Sequence, residues 1–129
     1  MTNEEKHVDF ETAKLLKEKG FDLEMKPHFN HHGRPGTGML PRNWNDPKIY
    51  DDDFHSRPTL FEAKMWLYEK HGIWVDIRPV NYFKYWDAYL IEGDGFTLGI
   101  PTIPNTTPTA ALSFVIKEAL KTIKIKDDE

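Results

Sequence analysis

The chain has 129 residues, 39% of them hydrophobic, 29% charged and none of them cysteine. That is enough apolar material for one core, is short for two, and excludes disulfides, thiolate metal sites and a cysteine nucleophile. Acidic residues outnumber basic ones by 21 to 17, the reverse of the bias usual in a small nucleic-acid binder.

The first predicted element is a helix opened by Asp9, with Phe10, Ala13, Leu16 and the stem of Lys17 on one face and a stop at Gly20. Phe21, Leu23 and Met25 then alternate with Asp22, Glu24 and Lys26, which predicts a half-buried strand that Pro27 ends or confines to an edge. From Asn30 to Arg57 periodicity is lost. The expectation there is a long irregular Pro/Gly-rich loop at about 30–58, with a short hairpin near Met39–Leu40 or Ile49–Tyr50 and pinned by Trp44, Ile49, Tyr50 and Phe54. Thr59-Leu60-Phe61-Glu62 has the form of a capping box, and a helix follows to Gly72 with Leu60, Ala63, Trp66 and Leu67 inward. Beyond Gly72 the period changes to two: Ile73, Val75 and Ile77 oppose Trp74, Asp76 and Arg78.

A second strand is expected over Tyr82–Glu92. Tyr85, Asp87 and Tyr89 lie on one face, and Trp86, Ala88 and Leu90 on the other, the pattern of a central strand covered by a helix. Gly93-Asp94-Gly95 turns the chain into a third strand at Phe96–Ile100, with a bulge expected at Gly99. A last helix starts at Thr107 with Pro108 in its first turn; Leu112, Val115, Ala119 and Ile123 form its apolar face, and Lys117, Lys121 and Lys124 gather toward its end. The expected fold is α+β: residues 1–129 as a single two-layer domain, with a mainly antiparallel sheet of about four strands and three helices packed on one face.

Chemistry-bearing groups are sparse. His31, His32 and His55 with Asp51 or Asp53 have the donor types of a metal-dependent hydrolase, but no HExxH or comparable spacing unites them. The Gly33–Gly38 run has the small residues of a phosphate cradle, yet Pro35 deletes an amide and no Walker lysine follows. Ser56 beside His55 is not a triad, and Asp76 and Asp87 on neighbouring strands are a carboxylate pair only if the register allows. Trp74, Arg78, Lys84, Tyr85, Trp86 and Tyr89 are the candidate interaction surface. Their rings and cations suit a protein partner, or the stacked bases of single-stranded nucleic acid, although Asp76, Asp87 and Glu92 repel phosphate.

The segment Pro58–Ile73 (PTLFEAKMWLYEKHGI), the opening Phe10–Asp22 (FETAKLLKEKGFD) and the late helix Thr109–Leu120 resemble small proteins encoded by prophages and mobile elements of Bacteroides-type bacteria. The resemblance covers about half the chain and rests on caps, turns and core positions. It implies a small α+β fold and a phage-related setting in a bacterial host cell, and it transfers no catalytic residue. The expectation is therefore a non-enzymatic accessory or protein-interaction module without a cofactor. Its partner would be an unidentified protein or a second copy of the chain, rather than nucleic acid or a membrane. Met1–Asp9 has no apolar run of the signal-peptide kind, and a cytoplasmic location is expected.

Overall fold

In the computed structural model, residues 7–51, 53–81, 84–92, 97–100 and 107–123 are described. Helix α1 (Phe10–Glu18) begins where Asp9 accepts the Thr12 N–H at 2.8 Å. It ends in a Schellman arrangement. Phe21 N–H donates to Leu16 O and Gly20 N–H to Lys17 O, with Gly20 at φ +93, a left-handed conformation that glycine adopts without a Cβ clash.

Three strands follow, β1 (Met25–Asn30), β2 (Pro35–Arg42) and β3 (Phe54–Ser56), paired antiparallel in the order β2-β1-β3. The alternation at 21–26 does not mark the strand itself: β1 starts at Met25, and Leu23 is exposed. Nor does Pro27 end or edge the strand; it sits inside the central one. It is tolerated there because β3 stops at Ser56 and the next residue, Arg57, donates its N–H to Pro27 O at 3.2 Å. The proline's missing donor thus has no strand acceptor opposite it.

The 30–58 segment is more regular than its composition predicts, since it supplies both β2 and β3. Glycine is the physical reason. A Cβ on Gly36 would lie 3.0 Å from His28 Nε2, and one on Gly38 only 2.6 Å from Trp44 Cζ2. Bare backbone at these two positions lets β2 lie beneath the rings. Trp44 is buried, donates its indole N–H to Met25 O at 2.7 Å, and has Tyr50 and Phe54 at 5.2 and 5.3 Å. Ile49, expected among the anchors, is exposed instead. Buried Asn45 completes the clasp: its amide donates to Phe21 O and its carbonyl accepts from Ser56 N–H.

Helix α2 (Leu60–His71) has the full capping box, Thr59 with Glu62, and closes on Gly72 at φ +65. It leads into a second antiparallel sheet, β4 (Trp74–Val80), β5 (Tyr85–Ile91) and β6 (Thr97–Ile100), with β5 central. The β5–β6 register is continuous through Tyr89↔Gly99, so Gly99 marks no bulge. Phe96 and the Gly93–Gly95 turn lie outside the described residues, as do Tyr82, Phe83 and Lys124. Helix α3 (Pro108–Thr122) is capped by Thr107 and packs on β4 and β5, with α1 and α2 against it.

Among the described residues the architecture is α+β, antiparallel and two-layered, with three helices. Its strands form two three-stranded sheets rather than one, because β1 pairs with strands from the 30–58 segment and not with the meander. A continuous core of Phe21, Trp66, Leu67, Val75, Leu90, Val115, Ile116 and Leu120 joins helices and sheets. Polar ties reinforce the helix layer. Lys117 reaches back to Asp9 at 2.8 Å and Glu11 at 3.5 Å instead of serving its own helix end. Lys19 Nζ donates to Ile123 O at 2.7 Å. No described helix is long and apolar enough to cross a membrane.

Candidate interaction surface

The β4–β5 register decides how the meander residues are arranged. Trp74 pairs with Ile91, Asp76 with Tyr89, Arg78 with Asp87 and Val80 with Tyr85; between them Val75 pairs with Leu90, Ile77 with Ala88 and Pro79 with Trp86. Val75, Ala88 and Leu90 are buried, so their face meets α3, and alternation puts Trp74, Arg78, Tyr85 and Tyr89 on the opposite, outer face. Trp86 departs from the candidate set, because it shares the α3-facing side with Ala88 and Leu90. Lys84 lies in the turn, its N–H donated to Asn81 O, and is exposed. The register sets Asp87 opposite Arg78 and diagonal to Asp76 on the same face, and Asp76 is bridged by Lys64 at 3.5 Å, so each carboxylate has a cation beside it.

Trp74 is tied to α2. Lys64 Nζ sits 4.3 Å from its ring centroid, and Tyr68 meets it edge-on at 5.6 Å. This contact leads to residues that the sequence reading left unmarked. Phe61 is 67% exposed and Tyr68 52%. They are seven residues apart on α2, hence about 20° apart around the helix and roughly 10.5 Å along it, with Met65 between them. The core of α2 is Leu60, Ala63, Trp66 and Leu67, which leaves Phe61, Met65 and Tyr68 as a second apolar stripe pointing away from it. The signal was present: a helix with one buried face does not need apolar residues at 61, 65 and 68 as well.

A second exposed apolar patch lies on the N-terminal sheet. Between the pairs Met25↔Arg42 and Pro27↔Thr37 the register shifts, and β2 carries extra residues there. Met39 and Leu40 are lifted out by this bulge and stand 92% and 61% exposed.

The histidines and aspartates do not converge. The rings of His31 and His32 lie 3.9 Å apart, tilted at 42° to each other and both exposed, in the β1–β2 turn. His55 is buried in β3, opposite Phe29 and edge-on to Phe10 at 5.3 Å. Asp51 and Asp53 are exposed, and Asp52 lies outside the described residues. Among the described residues no three His, Asp or Glu side chains form a group able to hold a metal ion. Ser56 Oγ is buried without a hydrogen-bond partner, which gives a nucleophile neither base nor access.

Among the described residues β4 is an edge strand, and that edge offers few donors for strand addition. Backbone donors two residues apart point to the same side. On that side Ile73 N–H goes to Leu67 O, Ile77 N–H is taken by Asp76 Oδ1 at 2.9 Å, and Pro79 has none, which leaves Val75 alone. Compared with known proteins, the chain matches no family model, no curated protein and no solved structure.

Proposed function

We propose that this chain is a non-enzymatic protein-interaction module that engages its partner through the outer stripe of α2 and the adjoining Trp74. The observation that carries this reading is the pair of exposed rings, Phe61 and Tyr68, standing opposite the buried face of α2 and continuous with Trp74. Large aromatic side chains left in water on a rigid helix favour a partner that covers them. The outer sheet face with Tyr85, Tyr89 and Arg78 extends the same surface. An accessory role in a phage or mobile element is part of the proposal and rests on the resemblance of the three helical segments alone.

A photo-crosslinking side chain placed at Phe61 or Tyr68 tests the reading in cells that express the chain. One discrete crosslinked protein from both positions, absent when the crosslinker replaces Phe114 on α3, is the expected result. Equal or no crosslinking at all three positions overturns it.

A further inference from the structure

We infer that the partner of the α2 stripe is a basic amphipathic helix, an inference that rests on the proposed interaction role. The stripe is narrow and straight: Phe61, Met65 and Tyr68 follow one line along a helix of 12 residues. Such a line fits the apolar face of another helix laid beside it.

Charge then selects the kind of helix. On one flank of the stripe stand Glu62 and Glu69, seven residues apart and both exposed. On the other flank the cation Lys64 is already committed. It lies over Trp74 and bridges Asp76, and its side chain is 13% exposed. The surface offered to a partner is thus an aromatic line with an acidic border and a neutralised basic one; in that border Glu62 keeps its charge while one carboxylate oxygen accepts the Thr59 N–H of the capping box. A partner helix with lysines or arginines beside its apolar face meets Glu62 and Glu69 with opposite charge. A second copy of the chain is disfavoured, because an antiparallel two-fold pairing of α2 sets Glu62 and Glu69 of one copy against Glu69 and Glu62 of the other. Nucleic acid is disfavoured by the same border, which repels phosphate.

The test uses the full chain and two synthetic amphipathic peptides of about four helical turns, one of leucine and lysine and one of leucine and glutamate. Affinity is read by fluorescence anisotropy of the labelled peptide. The lysine peptide is expected to bind at least about ten-fold more tightly than the glutamate peptide. Phe61→Ser and Tyr68→Ser should each weaken it by about ten-fold or more, and Glu69→Lys by several-fold, with a reduced dependence on salt. Phe114→Ser should leave it unchanged. Equal affinity for the two peptides overturns the inference, as does lysine-peptide binding that survives Phe61→Ser and Tyr68→Ser. Sedimentation showing a dimer of the unmodified chain that Phe61→Ser dissolves also overturns it. Stripe-dependent binding of the glutamate peptide, or that dimer, removes the basic helix while leaving an interaction module in place. Uniform crosslinking in cells removes the module itself. Glu69 is exposed and outside the core, so Glu69→Lys remains informative if a ring substitution compromises folding.

Discussion

Gly38 shows how a single absent atom shapes the N-terminal sheet. An added Cβ would stand 2.6 Å from Trp44 Cζ2, and Trp44 is held by its bond to Met25 O and by the Tyr50 and Phe54 rings. The indole cannot retreat without loss of those contacts. Gly38→Ala is therefore expected to cost about 1–3 kcal/mol, as overpacking does; Thr37→Ala, at an exposed neighbour, should stay within about 0.5 kcal/mol in the same urea titration. His71 illustrates a different residue-scale effect. Its ring meets Trp66 edge-on at 4.8 Å, and partial loss of water there lowers its pKa from the ordinary 6.5. The unfolded chain then takes up this proton at higher pH than the folded one. Stability falls as pH drops through 6.5 toward the lowered value, and rises in the other direction. His71→Gln should remove that part of the acid sensitivity, seen as a flatter slope of unfolding free energy against pH beginning at 6.5.

At the scale of elements, each helix was legible because its boundaries are written in chemistry local to it. Asp9, Thr59 and Thr107 cap their helices in the structure as their positions predict, and Gly20 and Gly72 supply the left-handed stops. The meander was legible for the same reason, its period-two pattern starting directly after Gly72. What the sequence hid was the pairing of β1. The β1–β2 pairing depends on how Gly36 and Gly38 fit under His28 and Trp44, which no periodicity reports, and the β1–β3 pairing on contacts distant in the chain. The surface was half legible: Trp74, Tyr85 and Tyr89 share the outer face, but the exposed rings of α2 were concealed within a helix read only for its core. Two substitutions in α2 separate its faces. Trp66→Ala should destabilise by about 3–5 kcal/mol, whereas Phe61→Ser should change the melting free energy by less than about 0.5 kcal/mol. Comparable losses at both positions would mean that Phe61 is a packing residue. Pro79→Val tests the guarded edge of β4: restoring an N–H on the same edge as that of Val75 should promote concentration-dependent association, measurable by light scattering.

On the scale of the whole molecule, α1 and α3 are fastened to one another at both ends of α1, by Asp9 with Lys117 and by Lys19 with Ile123 O. Burial opposes the charge on Asp9, but the Lys117 and Thr12 hydrogen bonds outweigh it and hold the carboxyl below its usual 3.8. Burial likewise works against the charge on Lys117, and Asp9 and Glu11 more than compensate, raising it above 10.5. The linkage has a definite sign at each end. The Asp9 contribution is complete above 3.8 and disappears as pH falls through the lowered value. That of Lys117 is complete below 10.5 and disappears as pH rises through the raised one. Because the Asp9 side chain is half exposed, solvent screens the pair, and Lys117→Ala should cost no more than about 1 kcal/mol at neutral pH. Asp9→Ala removes the helix cap as well and should cost about 1 kcal/mol more. Urea titrations at neutral pH and below 3.8 should show the difference between wild type and Lys117→Ala shrinking in acid.

The same fastening imposes an order on synthesis. The residues of α1 and of the first sheet leave the ribosome long before α3 does, yet one bond at each end of α1 is made by Lys117 or by the backbone of Ile123. A nascent chain arrested before α3 emerges therefore holds α1 and the first sheet without their final support. The side of α1 that packs on α3 remains open to a chaperone or a protease during that interval. Protease resistance of this N-terminal half should rise abruptly once α3 is free of the exit tunnel and can pack on α1.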